Sequence, residues 1–247
     1  IQNKIDAADQ ILEYGGVNKL RKGLRVGKSQ NAIVKQKYKI RLYQLQREHL
    51  SNIVDGKVNS KAPSGLSFLD ATIDAIKNGD VLSEPDLRIL EEIRNEFVTG
   101  DELNYQKLEN SLTPAEKKAL ALYDEVNNSL ADKAVFISST LHGNRVNLLN
   151  NYTHHAILDS ENTKASVLEQ QKENFVSGSL ATKAGTIIER TPGAKPISFD
   201  PSYSARRGAQ QTLLDYEMTD ANRIVAKTIN KINKDILGIN SITASNK

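Results

Sequence analysis

Apolar residues recur at three- and four-residue steps along most of the chain, the repeat of a helix that buries one stripe. Ile1, Ile5, Ala8, Ile11 and Leu12 form the first run, and Gly15-Gly16 supplies the stop expected at a helix C-terminus. After a basic, glycine-punctuated stretch from Val17 to Ser29, the positions Val34, Tyr38, Leu42, Leu45, His49, Leu50 and Ile53 trace one side of a long helix. Asp55-Gly56 ends it, and Lys35, Lys37, Lys39, Arg41 and Arg47 fall on its outer face. The stretch Lys57 to Gly65, with Pro63, Ser64 and Gly65, reads as a linker and the best candidate boundary.

Ser67 can cap a third helix whose inner face is Phe68, Leu69, Thr72, Ile73 and Ile76, with Asn78-Gly79 at its end. Ser83 is placed to cap the next, with Pro85 and Asp86 in its first turn and Leu87, Leu90, Ile93 and Phe97 along one side up to Thr99-Gly100. The clearest local signal is Leu112-Thr113-Pro114-Ala115-Glu116: threonine at the cap, proline at the first helical position, and glutamate able to reach back to the cap N–H. A helix through at least Lys133 is expected there, then a less periodic continuation from Ala134 to Leu158, broken near His142-Gly143-Asn144. Asn162 to Phe175 predicts a further helix, and Thr186 to Glu189 is the best strand candidate. Asp200-Pro201 opens a last long helix through Leu213, Leu214, Ala221, Ile224, Val225, Thr228, Ile229, Ile232 and Ile236. The expected fold is mostly α, an extended multi-helix assembly with at most a minor β element. Its segments are a basic helical arm (1–58), a linker (59–65), an acidic helical region (66–160) and a C-terminal region with a loop and a long terminal helix (161–247).

Composition agrees with aliphatic helix packing: 38% of the 247 residues are apolar, with no Trp and one Met. The absence of Cys excludes a disulfide scaffold, a thiol nucleophile and thiolate zinc ligation. Lys4, Asp6 and Asp9 make the first residues neither a signal peptide nor a membrane anchor, and Ile1 at the start suggests a longer or processed parent chain.

A net charge of +3 conceals strong segregation. From Ile1 to Val58 there are 12 basic and 5 acidic residues, and from Leu66 to Asp132 there are 6 basic and 15 acidic ones. The ten charges Lys19, Arg21, Lys22, Arg25, Lys28, Lys35, Lys37, Lys39, Arg41 and Arg47 are all basic. They read either as a solvated helix face or as an arm that contacts nucleic-acid phosphates or an acidic partner.

Candidate chemistry is thin. Gly23 to Ser29 resembles a phosphate-binding loop, but only three residues separate Gly23 from Gly27 and no hydrophobic strand precedes it. Adjacent His154 and His155 point apart on any regular element, so with His142 and Asp159 they make a weak metal candidate. Ser138, Ser139 and His142 lack the Gly-x-Ser-x-Gly setting of a nucleophile, and Glu91, Glu92 and Glu96 lie opposite an apolar stripe, where they look solvated. No catalytic residue, metal or cofactor is assigned.

One ordered set of motifs is familiar. Leu112 to Glu116 is followed by Asn151-Tyr152-Thr153-His154-His155, then by Glu189-Arg190-Thr191-Pro192-Gly193-Ala194-Lys195-Pro196-Ile197, then by a long helix with Asp215-Tyr216 and Arg223-Ile224. This order, over roughly Leu112 to Leu237, resembles regions of the large polyprotein-like proteins of tailed bacteriophages and related mobile elements, including internal virion proteins ejected with the genome. That family has Val-Pro-His after the tyrosine where this chain has Thr153-His154. The 22 Asn and the Lys- and Ile-rich vocabulary fit an AT-rich genome such as those of crAss-like phages. The resemblance implies a non-enzymatic structural or cargo segment inside the capsid or at the portal or tail channel. Its partners would be other virion proteins and packaged DNA, in a multimeric assembly that serves genome delivery. The alternatives are a non-catalytic domain of a large injected enzyme, such as a virion RNA polymerase, and a helical nucleic-acid-binding protein.

Overall fold

The computed structural model describes residues 1–14, 29–81, 86–142, 148–158 and 194–236. These residues are mostly helical, in the order α1 (Gln2–Tyr14), α2 (Gln30–Val54), α3 (Gly65–Lys77), α4 (Leu87–Phe97), α5 (Tyr105–Ser111), α6 (Pro114–Asn128), α7 (Ala131–His142) and α8 (Pro201–Ile236). The only sheet among them is a two-stranded antiparallel hairpin, β1 (Val98–Thr99) with β2 (Glu102–Leu103), turned at Gly100 with φ 62°. A single bridge pairs Ile157 with Ile197.

The elements start and stop where local chemistry directs. Thr113 accepts from the Glu116 N–H, and the Glu116 carboxylate returns to the Thr113 N–H at 2.7 Å, closing the capping box. Asp200 Oδ1 receives the Ser202 N–H at 2.8 Å ahead of Pro201, so α8 opens as its sequence indicates. Two caps differ from expectation. Ser64, not Ser67, caps α3, because Ser64 and Ser67 close a reciprocal box one turn earlier. Asp86 caps α4 through the Ile89 N–H at 3.2 Å, while Ser83 lies outside the described residues. The helix expected to run through Lys133 is two: α6 stops at Ser129, whose N–H bonds Glu125 O, and α7 restarts at Ala131. The helix expected from Asn162 and the strand expected at Thr186 to Glu189 lie outside the described residues.

Helix α2 is the hub. Ile40, Leu42 and Leu45 on it join Ile5 and Leu12 of α1, Leu69 and Ile73 of α3, Leu90 and Ile93 of α4, and Leu120 and Tyr123 of α6 in one apolar core. Phe199 and Ala205 complete it from the C-terminal region, with Phe199 edge-on to Tyr38 at 6.1 Å between centroids. Residues from the basic, acidic and C-terminal segments thus share a single core, and Pro63 in the expected linker is itself buried.

Candidate functional site

From Tyr38 to Glu48 α2 is buried on nearly all sides, so polar groups there must find partners inside the protein. Arg41, Gln44, Glu48 and Asn52 repeat at helical spacing and are at most 1% exposed. Gln44 donates to Asp124 of α6 at 3.3 Å, and against Arg41, Glu48 and Asn52 lies a strap, residues 148–158, running antiparallel to α2. Lys57 Nζ donates to Leu148 O at 2.8 Å, and Asn52 exchanges two bonds with the Asn150 backbone at 2.9 and 2.8 Å. The strap turns at Asn151, which adopts φ 49°, a left-handed conformation that asparagine tolerates. Glu48 then accepts the Thr153 N–H at 3.2 Å, and its Oε2 lies 3.3 Å from His155 Nε2. Arg41 donates to Thr153 Oγ1 and, at 2.6 Å, to His154 O. Beyond it the strap reaches the 194–200 segment: Leu158 N–H donates to Pro196 O at 3.0 Å and Ser198 N–H to Ala156 O at 2.8 Å.

The two adjacent histidines separate as expected. His155 packs edge-on to Phe68 at 4.6 Å and faces Glu48. His154 turns to α8, where a Cβ added to Gly208 would stand 2.6 Å from its Cβ and 2.8 Å from its Cγ. Only glycine at 208 admits that approach. Burial, with Arg41 and Arg207 nearby, lowers the His154 pKa from 6.5 to about 4, so the ring is neutral at physiological pH.

Beside His154 opens a cavity of about 250 Å³ between the α6–α7 junction, the strap and α8. Asn127, Asn128, Asn150, Asn151, Tyr152, His154, Gln211 and Thr212 supply its polar lining, with Leu130, Leu148 and Leu149 as apolar walls. No carboxylate, Lys or Arg lines it among the described residues. Its neutral amides can exchange hydrogen bonds with a polar group. Gln211 also donates to the buried Asp215 at 2.9 Å, a carboxyl whose pKa burial raises.

The basic residues expected on an outer face are spent on internal partners. Lys35 pairs with Glu92 at 3.6 Å and Glu96 at 3.1 Å. Lys37 joins Asp9 at 2.9 Å and Asp200 at 3.3 Å, in a cluster that also ties the buried Tyr123 hydroxyl to Ser202 at 2.9 Å. Lys39 meets the fully buried Glu116 at 2.8 Å, and Arg47 meets Asp124 at 2.8 Å. Arg41 corrects the outer-face reading outright: it is 0% exposed, because α2 is central rather than peripheral. Lys19, Arg21, Lys22, Arg25 and Lys28 lie outside the described residues, as does the Gly23 to Lys28 part of the phosphate-loop candidate. Its last residue, Ser29, caps α2 by accepting the Ala32 N–H at 3.4 Å.

Of the remaining candidates, Ser138 is buried on α7, Ser139 donates to Phe136 O at 3.1 Å, and Asp159 and the His142 side chain are outside the described residues. Glu91 is half-exposed opposite Lys77 at 2.8 Å. Among the described residues no three His, Asp or Glu side chains gather around a possible metal position, and no helix is long and apolar enough to cross a membrane. The strap and its polar seat on α2 escaped sequence reasoning. The available signal was the Arg41, Gln44, Glu48, Asn52 spacing, which reads as a solvated face until the helix is known to be central. No protein-family description, curated protein or solved structure matches the chain.

Proposed function

We propose that the chain is a non-enzymatic structural segment of a tailed-phage virion protein, inside the capsid or at the portal or tail channel, that serves assembly and genome delivery. The observation that carries this reading is α8. It spans 36 residues, about 54 Å at the helical rise, and from Asp220 onward its described side chains are exposed, apart from a partly covered Ile229. Ile224 and Val225 stand 62% and 42% exposed there, apolar surface placed to meet another protein. Two further features support it. The histidines of the familiar Asn151 to His155 motif serve to fasten the strap, which gives that motif a structural purpose. Lys35, Lys37, Lys39 and Arg47 of α2 neutralise carboxylates of the same chain, and Arg41 is buried against the strap, which favours a partner of protein over a nucleic-acid surface at those positions.

The test is genetic. Deleting the coding segment in the phage or element that carries it, while keeping the reading frame, should yield particles that assemble poorly or fail to deliver DNA. Normal particle yield and normal infection by the deletion strain would overturn the proposal. A non-catalytic domain of an injected enzyme is the second reading, and the same deletion would instead leave particles intact and abolish an early activity in the infected cell.

A further inference from the structure

From Leu214 the exposed side of α8 carries apolar or small residues at alternating four- and three-residue steps: Leu214, Met218, Ala221, Val225, Thr228 and Ile232. This is the spacing of a coiled-coil seam, in which such positions face a partner helix. Leu214 is 60% exposed and Ile232 45% exposed, so both ends of the seam are open. On the side opposite Leu214 and Met218, Thr212, Asp215 and Thr219 are buried and Tyr216 packs against Phe136 of α7 at 5.2 Å, whereas from Asp220 onward the helix stands clear of the folded body.

We infer that this seam pairs with the same seam of a second copy of the chain, in antiparallel orientation. Three observations select that occupant and direction. The layers are self-complementary when reversed, since Leu214 falls opposite Ile232, Met218 opposite Thr228 and Ala221 opposite Val225 in one common register. Each small or polar residue then meets a larger apolar one, whereas a parallel pair would stack Ala221 on Ala221 and Thr228 on Thr228, leaving a void and a buried hydroxyl layer. Charge points the same way. The exposed Glu217 and Lys231 flank the seam on the same side, so reversal sets Glu217 beside Lys231 of the other copy, while a parallel pair brings no opposite charges together across the seam. Finally, the reversed register brings the end of the partner helix only as far as Gln210, which is exposed, so the folded body leaves its path open.

The inference does not require a virion, and it can fail while the proposed function stands. Because the chain has no cysteine, single substitutions report cleanly. Leu214→Cys and Ile232→Cys are prepared separately in the full chain, then oxidised alone and as an equimolar mixture. The antiparallel pair gives a disulfide-linked dimer in the mixture only, since in either variant alone the two thiols lie about 27 Å apart along the helices. Crosslinking of Ile232→Cys by itself would establish a parallel pair and overturn the inference. No crosslink in any combination, with a monomer by sedimentation, would also overturn it and leave the seam to another segment of this chain or a different protein. A charge swap separates pairing from folding. Glu217→Lys weakens dimerisation about tenfold, and adding Lys231→Glu restores it, given that both symmetry-related pairs are lost and regained together. Failure of the second change to restore association would remove the charge argument.

Discussion

Lowering the pH should destabilise the folded chain through one identifiable proton. His154 is buried against α8 beside Arg41 and Arg207, and its pKa falls from 6.5 to about 4. The unfolded chain therefore binds a proton near pH 6.5 that the native protein refuses until about pH 4, so stability is full above the first value and drains away as pH falls towards the second. Integrating the linkage between about pH 7 and pH 4.5 gives a loss of about 2 kcal/mol from this ring alone. His154→Gln removes the titration and keeps a polar side chain of similar reach. Urea denaturation of both proteins across that range would read the effect: the wild-type unfolding free energy should drop by about 2 kcal/mol more than that of the variant. Repacking costs of the substitution shift the variant by a constant and leave the slope difference intact. Parallel pH profiles would refute the reasoning and place the His154 ring in water.

Three further outcomes follow from the same geometry. Gly208→Ala drives a methyl group into the His154 ring and should cost about 1–3 kcal/mol in urea denaturation, against a gain of about 0.5–1 kcal/mol if α8 stood away from the strap. Thr113→Ala removes the cap of α6 and should cost about 1 kcal/mol, with an unchanged melting temperature contradicting the capping box. Lys39→Gln leaves Glu116, which is fully buried, without its cation; thermal unfolding should shift down measurably even in high salt, where a solvated lysine would show no effect.

Local chemistry made much of the fold legible. The Thr113 box, the Asp200-Pro201 start of α8, and the glycines at 56, 79 and 100, each with positive φ, are signals written in a few adjacent residues. What stayed hidden depends on position in three dimensions. Ser64 competed with Ser67 one turn away, and the reciprocal hydroxyl bond at 3.0 Å decided it. Ser129-Leu130 breaks a helix without glycine or proline, and the only local signal is the weak helix propensity of Asn127-Asn128-Ser129. Arg41 looked like its neighbours Lys37 and Lys39, yet helix periodicity cannot tell a stripe facing water from one facing a strap more than 100 residues later. The partners of Lys37, Lys39 and Arg47 on α2 are acidic groups scattered from Asp9 to Asp200, so at these described positions the charge segregation visible in the sequence is met inside the folded chain.

The structural role is tested most directly in the particle itself. Quantitative mass spectrometry of density-purified, protease- and nuclease-treated virions should find peptides of this chain, for example from α2 and α8, in a fixed ratio to the capsid protein and protected until the DNA is ejected. Their absence from such particles, with abundant peptides in the infected-cell lysate, would contradict a virion role and turn attention to a function inside the host.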